Sequence, residues 1–542
     1  MKNSIKQNLI SDAWAGFFVF LIALPLCLGI AKASGFPPIA GVFTAIIGGI
    51  IPMLFSNSEL TIKGPAAGMI VIVAGAVQEL NEIYGNSEDP WIGYKMTLGI
   101  GVVSGLLQIV FGLLKAGKFS NFFPKAAVHG MMAAIGIIIF SKQIHVIFGV
   151  TPTAKTPFAL LGEIPHSVMN WNPEIFCIGF VSLILIFGIP FLPDKIRKLL
   201  PGQMVVLVVG ILLGFVFNLN QVHSYLFLDK EYSLGPKFLV DIPSNFLKGL
   251  TFPDYTAVLT LVGAKWILLF SLVGTLESIL SAKAVDMLDP KKRSSNLDSD
   301  VLGIGVANTA AALIGGLPMI SEILRSKANI DNGAQTRFAN FFHGMFLLLF
   351  VALVPGVIHS IPLAALAALL VFTGYRLASP GEFIKTYKIG LEQIIVFTIT
   401  TVGVLATDLL LGVVMGVIAK ICIHLWNGAK IRNLFKPDLT IKKVSNSHVI
   451  IEVRNALIFT NWLSFKGSLK KVEEYSDITI DLSHTNLVDH TVMESLEELI
   501  HEPHGENGKI VISGLDSLKP VSKHPNAARK SMVMAMPDFS KK

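Results

Sequence analysis

Apolar runs of about twenty residues, enough for a helix across a hydrocarbon core of roughly 30 Å, recur from Ala13 to about Trp426 and then cease. The pattern predicts spans at 13–33 and 37–55, a short segment after Gly64, and spans at 95–115, 124–149, 172–192 and 201–218. A polar stretch, 219–262, separates these from a second set at 263–287, 300–316, a short segment from about Ser321, 337–357, 361–377, 390–407 and 409–427. That is seven and seven, and because seven is odd, two consecutive copies insert with opposite topology as an inverted repeat. From about Asp438 the periodicity changes. The run 447-SHVIIEVRNALIF-459 alternates, 477-DITIDLS-483 reads as a buried strand, 491-TVMESLEELIHE-502 as an amphipathic helix and 509-KIVISGL-515 as another strand. The expected fold is an all-α polytopic membrane domain over 1–430, with repeats at about 12–218 and 262–427, followed by a small α/β domain over 438–542.

Composition agrees with a membrane protein: 52% of residues are hydrophobic, 15% are charged and mean hydropathy is +0.64, well outside the range of soluble domains. The net charge of +7 suggests nucleic acid until its distribution is considered. The clusters Lys115/Lys118/Lys125, Lys195/Arg197/Lys198, Lys291/Lys292/Arg293, Arg325/Lys327/Arg337 and Arg376/Lys385/Lys388 all fall between apolar runs. Threaded through fourteen spans they share one side with the N-terminus, so the charge encodes a cytoplasmic face and not a nucleic-acid partner. Lys2 and Lys6 precede an apolar run without a small-residue cleavage site, so the first segment is expected to remain as a span. Cys27, Cys177 and Cys422 lie in apolar runs without C-x-x-C spacing and read as small core residues. No Walker, G-x-S-x-G or H-E-x-x-H sequence is present, so neither an enzyme nor a cofactor is expected.

The two weak segments stand third in each set. One opens within 59-ELTIKGPAAGMIVIVAGAV-77; the other follows Gly315-Gly316-Leu317-Pro318. Interrupted segments at matched positions are the best sequence pointer to a transporter's substrate site. A helix that begins near the bilayer midplane leaves N–H groups unpaired at its first turn, and with the helix dipole these favour an anion. Pro65 and Pro318 each fit such a helix start, and Gly64, Ala66, Ala67 and Gly68 let a substrate approach the backbone.

Glu277 lies deep in 271-SLVGTLESILSAKAVD-286, with Ser281 one helical turn on; together they are candidates to hold a proton or sodium, or else Glu277 bonds a neighbouring helix. Glu322 and Arg325 fall on the first turn of the second broken segment. Glu322 reads as a dipole partner or coupling group, while Arg325 and Lys63 each read as an anion ligand or as an anchor at the cytoplasmic face.

Taken in order, 12-DAWAGFFVFLIALPLCLGIAKASGFPP-38, TIKGPAAG, 276-LESILSAKAVD-286, 303-GIGVANTAAALIGGLP-318, RSKANIDNGAQTR ending at Arg337 and 361-IPLAALAALL-370 resemble the sulfate permease (SulP) family of anion transporters with a C-terminal STAS domain. The likeness covers nearly the whole chain. It implies fourteen segments in two inverted repeats, a homodimer, and an anion held between the opposed third and tenth helix ends. Site positions carried over are Gly64, Pro65, Ala66 and Ala67, then Ser321, Glu322 and Arg325, with Glu277 at the family's acidic position; Lys63 and Ser281 join the candidates by their place in the sequence alone. Departures include Leu324-Arg325-Ser326, where many relatives have Ser-Arg-Thr/Ser, and Lys63, where they have a small residue. The patterns 23-ALPLCLGIA-31 and 321-SEILRSKAN-329 look closer to prokaryotic members associated with bicarbonate. In the STAS-like part, 459-FTN-461 and 481-DLSHTNLVDHTVMESL-496 match, but His490 stands where signalling STAS proteins carry a phosphorylatable serine.

The expected function is secondary active transport of bicarbonate or sulfate, coupled to sodium or protons, in a bacterial cytoplasmic membrane. Alternatives are an anion exchanger, an uncoupled channel, or an anion sensor signalling through the cytosolic domain.

Overall fold

The structure, a computed structural model, describes all residues except 1, 86–88, 116–123, 155, 194–200, 242–245, 408, 473, 474, 476, 502–508 and 532–542. Lys118, Lys195, Arg197 and Lys198 therefore lie outside the described residues. The first seven segments are α1 (Lys2–Ala33), α2 (Pro38–Ile50), α3 (Ile70–Tyr84), α4 (Ile92–Leu113), α5 (Lys125–Ile147), α6 (Pro173–Gly188) and α7 (Gly202–Val216). The second seven are α8 (Leu261–Leu288), α9 (Leu297–Leu313), α10 (Ile323–Asp331), α11 (Phe338–Leu353), α12 (Leu363–Leu377), α13 (Leu391–Ala406) and α14 (Leu409–Trp426). The short strand β1 (Ile62–Pro65) precedes α3, and β4 (Met319–Glu322) precedes α10.

Among the described residues, seven helices are long and apolar enough to cross a membrane and four more are shorter but apolar. The three segments outside both groups are α3, α9 and α10. Their lower hydropathy has a cause: these are the segments that carry or flank the chain breaks, and the polar side chains that hold irregular backbone inside a membrane come with them.

Contacts divide the chain into two compact units. The first, residues 1–117 and 135–376, contains both broken segments. Here α9 lies so close to α4 that a Cβ on Gly305 would stand 2.6 Å from the backbone nitrogen of Ile109, and this approach fixes the polar residues α9 carries. Cys27 is fully buried, as a small core residue should be, but Cys422 is exposed on α14. The polar stretch after α7 is not structureless: β2 (His223–Phe227) and β3 (Lys230–Leu234) pair antiparallel. Their two-residue link, Leu228 and Asp229, has φ of 49° and 58°, the primed turn that matches strand twist.

The second unit gathers residues 118–134 with 377–542. Its sheet runs β5 (Asp438–Lys443), β6 (His448–Leu457), β7 (Asp477–Val488), β10 (Arg529–Ser531), β9 (Leu518–Pro520), with β8 (Lys509–Ser513) pairing parallel to β7. Helices α15 (Phe459–Leu469) and α16 (His490–His501) cover it, burying Trp462, Phe465, Val492 and Leu496 against β6 and β7. The segment after Ser517, which carries no pattern in the sequence, supplies β9 and β10. His490 opens α16, with Nδ1 2.6 Å from the carbonyl oxygen of Asn526.

Asp489 is the polar hub of this unit. Its Oδ1 accepts from Val492 N at 2.8 Å, capping α16, while Oδ2 accepts from Phe459 N at 2.9 Å and lies 3.1 Å from His424 Nε2. Burial alone would raise its carboxyl pKa, but His424, Lys420 and the Val492 amide override burial and hold it below the ordinary carboxylate range. A depressed carboxylate contributes stability above its unfolded value and loses it as pH falls through the folded one, so the expected loss lies below about pH 4. Asp489→Ala removes the cap and leaves buried donors unpaired. It should destabilise the domain by about 3 kcal/mol, read as faster hydrogen exchange across α15 and α16 in the full-length protein.

Candidate functional site

Neither interrupted segment passes through its proline as a helix. β1 and β4 pair antiparallel, with rungs Ile62↔Glu322, Lys63↔Ser321, Gly64↔Ile320 and Pro65↔Met319. The expectation that Pro65 and Pro318 open the two helices is corrected: α3 begins at Ile70 and α10 at Ile323, so non-helical chain lies between each proline and its helix. Proline has no N–H for a ladder, and here that omission is matched from outside the pair. Met319 donates its N–H to Asn308 Oδ1 at 2.6 Å and accepts from Asn308 Nδ2 at 3.1 Å.

Further backbone groups of the two segments bond to side chains from α2, α10 and α11. Leu317 N donates to Thr44 Oγ1 (2.7 Å), Ile62 N to Ser326 Oγ (2.8 Å) and Lys63 N to Asn340 Oδ1 (3.2 Å). Asn329 Nδ2 donates to the carbonyl of Leu60 at 3.0 Å. Every one of these residues is buried. Irregular backbone at membrane depth persists only under such satisfaction.

Arg325 is 1% exposed; its Nη2 donates to the Pro65 carbonyl at 3.1 Å, whereas Nε and Nη1 have no hydrogen-bond partner among the described residues. Nη1 lies where the side chain of residue 64 would be, 2.5 Å from a Cβ built on Gly64. Glycine is thus what lets the guanidinium reach the strand. Glu277 is 5% exposed, Oε1 is likewise without a partner among the described residues, and a Cβ on Gly68 would stand 2.4 Å from that oxygen. The carboxylate rests against the backbone that leads into α3.

The expected site residues separate into three groups. Gly64, Pro65 and Arg325 meet directly; Glu277 meets the turn that follows Ala66 and Ala67, whose carbonyls accept from Met69 N and Ile70 N at 3.2 Å. Glu322 ends β4, partly buried, on the residue before α10. Ser281 is buried one turn from Glu277, whose Oε1 it does not meet. Lys63 and Ser321 turn instead to Asp300: Lys63 Nζ stands 2.9 Å from Oδ1, and Ser321 Oγ donates to Oδ2 at 3.1 Å. Asp300, Asn308 and Asn340 give no signal of a site in the sequence. Asp300 in 297-LDSD-300 looks like an ordinary acidic first-turn residue, and nothing local reveals a partner more than two hundred residues away.

One prediction isolates the glycine. Gly64→Ala drives the new methyl into Nη1 and displaces the guanidinium, so anion affinity should fall about tenfold with little loss of thermal stability, measured by titrating purified protein with anion.

A polytopic helical protein with two broken, crossed segments, a buried arginine and a buried carboxylate has the build of a secondary transporter for a small charged solute. The sulfate permease family model matches residues 9–400 and the STAS domain model residues 440–517. The chain belongs to the sulfate permease family, a family of anion transporters, and carries a STAS domain. It is 26% identical to the putative sulfate transporter YvdB of Bacillus subtilis over 94% of this chain and 92% of that one. It is 24% identical to the bicarbonate transporter BicA of Synechocystis, covering 93% and 88%. The solved structure of SLC26A9 shares the fold, with a TM-score of 0.67 at 13% identity over 94% of this chain and 84% of that one.

Proposed function

We propose that this protein moves a small inorganic anion, bicarbonate or sulfate, by secondary active transport across a bacterial cytoplasmic membrane. The anion binds between the opposed ends of the third and tenth segments, with sodium or a proton as the coupling ion, and the transporter works as a homodimer with its STAS domain in the cytoplasm. One observation carries the reading: a buried guanidinium with two nitrogens that have no hydrogen-bond partner among the described residues, held against a glycine strand between two helix starts. Oriented donors and a fixed cation in a low-dielectric setting suit a compact anion.

The charges around the crossing favour coupling. The two broken segments and the helices beside them carry two cations, Lys63 and Arg325, and three carboxylates, Asp300, Glu277 and Glu322, so an incoming anion adds negative charge to a region that already has an excess of it. A sodium ion or proton at Glu277 offsets that excess, which makes binding of the two solutes mutually dependent. The likeness to BicA supports bicarbonate.

Uptake of labelled bicarbonate and sulfate by proteoliposomes, with and without inward sodium and proton gradients, tests this. Accumulation of one anion that requires one gradient is expected. Flux that runs only down the anion's own gradient and ignores both cations would contradict coupling.

A further inference from the structure

Asp300 accepts hydrogen bonds at both oxygens and so reaches both strands of the crossing. Its Oδ1 meets Lys63 Nζ at 2.9 Å and accepts from Ser56 Oγ, and its Oδ2 accepts from Ser321 Oγ at 3.1 Å. Lys63 and Ser321 are partners on one rung of the β1/β4 pair, so a single carboxylate grips that rung from both sides. Lys63 and Asp300 are each 2% exposed at the side chain, and Lys63 Nζ also donates to Thr61 Oγ1. The lysine's charge is therefore neutralised within the protein, one residue before Gly64.

We propose that Asp300 is a positioning residue of the transport site, which locks the Lys63↔Ser321 rung and cancels the Lys63 charge, so that the anion meets Arg325 and not Lys63. The proposal rests on the anion-site reading above and narrows it: with the pair closed, Arg325 is the cation left to the anion, and Glu277 and Glu322 already weigh against it, which suits a singly charged anion better than a divalent one. Opening the pair from either side changes the site by one charge, in opposite directions. Asp300→Asn frees a positive charge beside Gly64. Lys63→Met leaves a negative one. A buried pair broken at one partner is strongly perturbing, whereas neutralising both partners is tolerated far better.

The test uses full-length protein in proteoliposomes and reads the KM for sulfate and for bicarbonate in wild type, Asp300→Asn, Lys63→Met, the double variant and Arg325→Gln. The sulfate-to-bicarbonate KM ratio is expected to fall about tenfold in Asp300→Asn, to rise about tenfold in Lys63→Met, and to return to within about threefold of wild type in the double variant. A loosened scaffold would move both single variants the same way, so shifts of one sign, or no shift in Lys63→Met, overturn the proposal. If a single variant yields no folded protein while the double does, the pair's mutual dependence is upheld, and the double variant's ratio decides: a departure beyond about tenfold overturns the charge role. Arg325→Gln separates the two claims. If its KM for both anions is unchanged, the anion-site reading fails, whatever the pair does; if it rises while the pair variants behave alike, only the role of Asp300 fails.

Discussion

Arg325→Gln is expected to raise the KM for the transported anion on the order of a hundredfold while leaving the protein folded. Glutamine ends two bonds short of Nη2, so the 3.1 Å bond to the Pro65 carbonyl is lost, a cost of about 1 kcal/mol that the fold can bear. What glutamine cannot replace is a permanent positive charge, or the two nitrogens that have no hydrogen-bond partner among the described residues. The guanidinium is 1% exposed, so solvent does not screen it and the lost charge is felt in full. Because the affected interaction is with the anion itself, the change should appear in KM before it appears in the maximal rate, checked by concentration-dependent uptake. An unchanged KM would mean that the anion binds elsewhere.

Glu277→Gln should uncouple the cation from the anion. The substitution preserves shape, so the side chain still fits against Gly68, where its carboxylate oxygens lie 2.4 and 2.7 Å from the position a Cβ would take. It deletes the one carboxylate in α8 that has an unpartnered oxygen facing the broken segment, among the described residues. If a proton or sodium binds there to offset the charge of the incoming anion, accumulation against a gradient should drop at least about tenfold, with exchange of anion down its gradient persisting. The pH and sodium dependence of uptake should flatten together with it. Retained accumulation with wild-type sodium and pH dependence would place the coupling ion elsewhere.

The architecture is legible in the sequence because a bilayer demands length and low polarity of the segments that cross it, and each of the fourteen expected segments corresponds to a helix, the less apolar α3, α9 and α10 included. The positions of the breaks are legible too, since Gly64-Pro65 and Gly315 to Pro318 cannot continue a helix. Their form is not. A pairing such as Pro65↔Met319 joins residues more than two hundred and fifty positions apart, and no local pattern announces it. Lys63 shows the same limit from the other side: its residue type and place suggest an anion ligand, yet the fold brings Asp300 to it. The β2/β3 hairpin is hidden because its turn uses Leu228-Asp229 in place of the Asn-Gly or Asp-Gly that usually signals one. His424 and Asp489, sixty-five residues apart, likewise look unremarkable until the fold joins them.

The central claim is that the anion sits at the β1/β4 crossing beside Arg325. It is tested most directly by placing a cysteine at Ala67, in a background where Cys27, Cys177 and Cys422 are alanine, and measuring its rate of modification by a small thiol reagent as anion is added. The account predicts that the transported anion slows modification at least about tenfold, with half-protection at its KM, and that Arg325→Gln in the same background shifts half-protection to correspondingly higher concentration. Modification that proceeds at one rate at every anion concentration, in a protein that still transports, would contradict it.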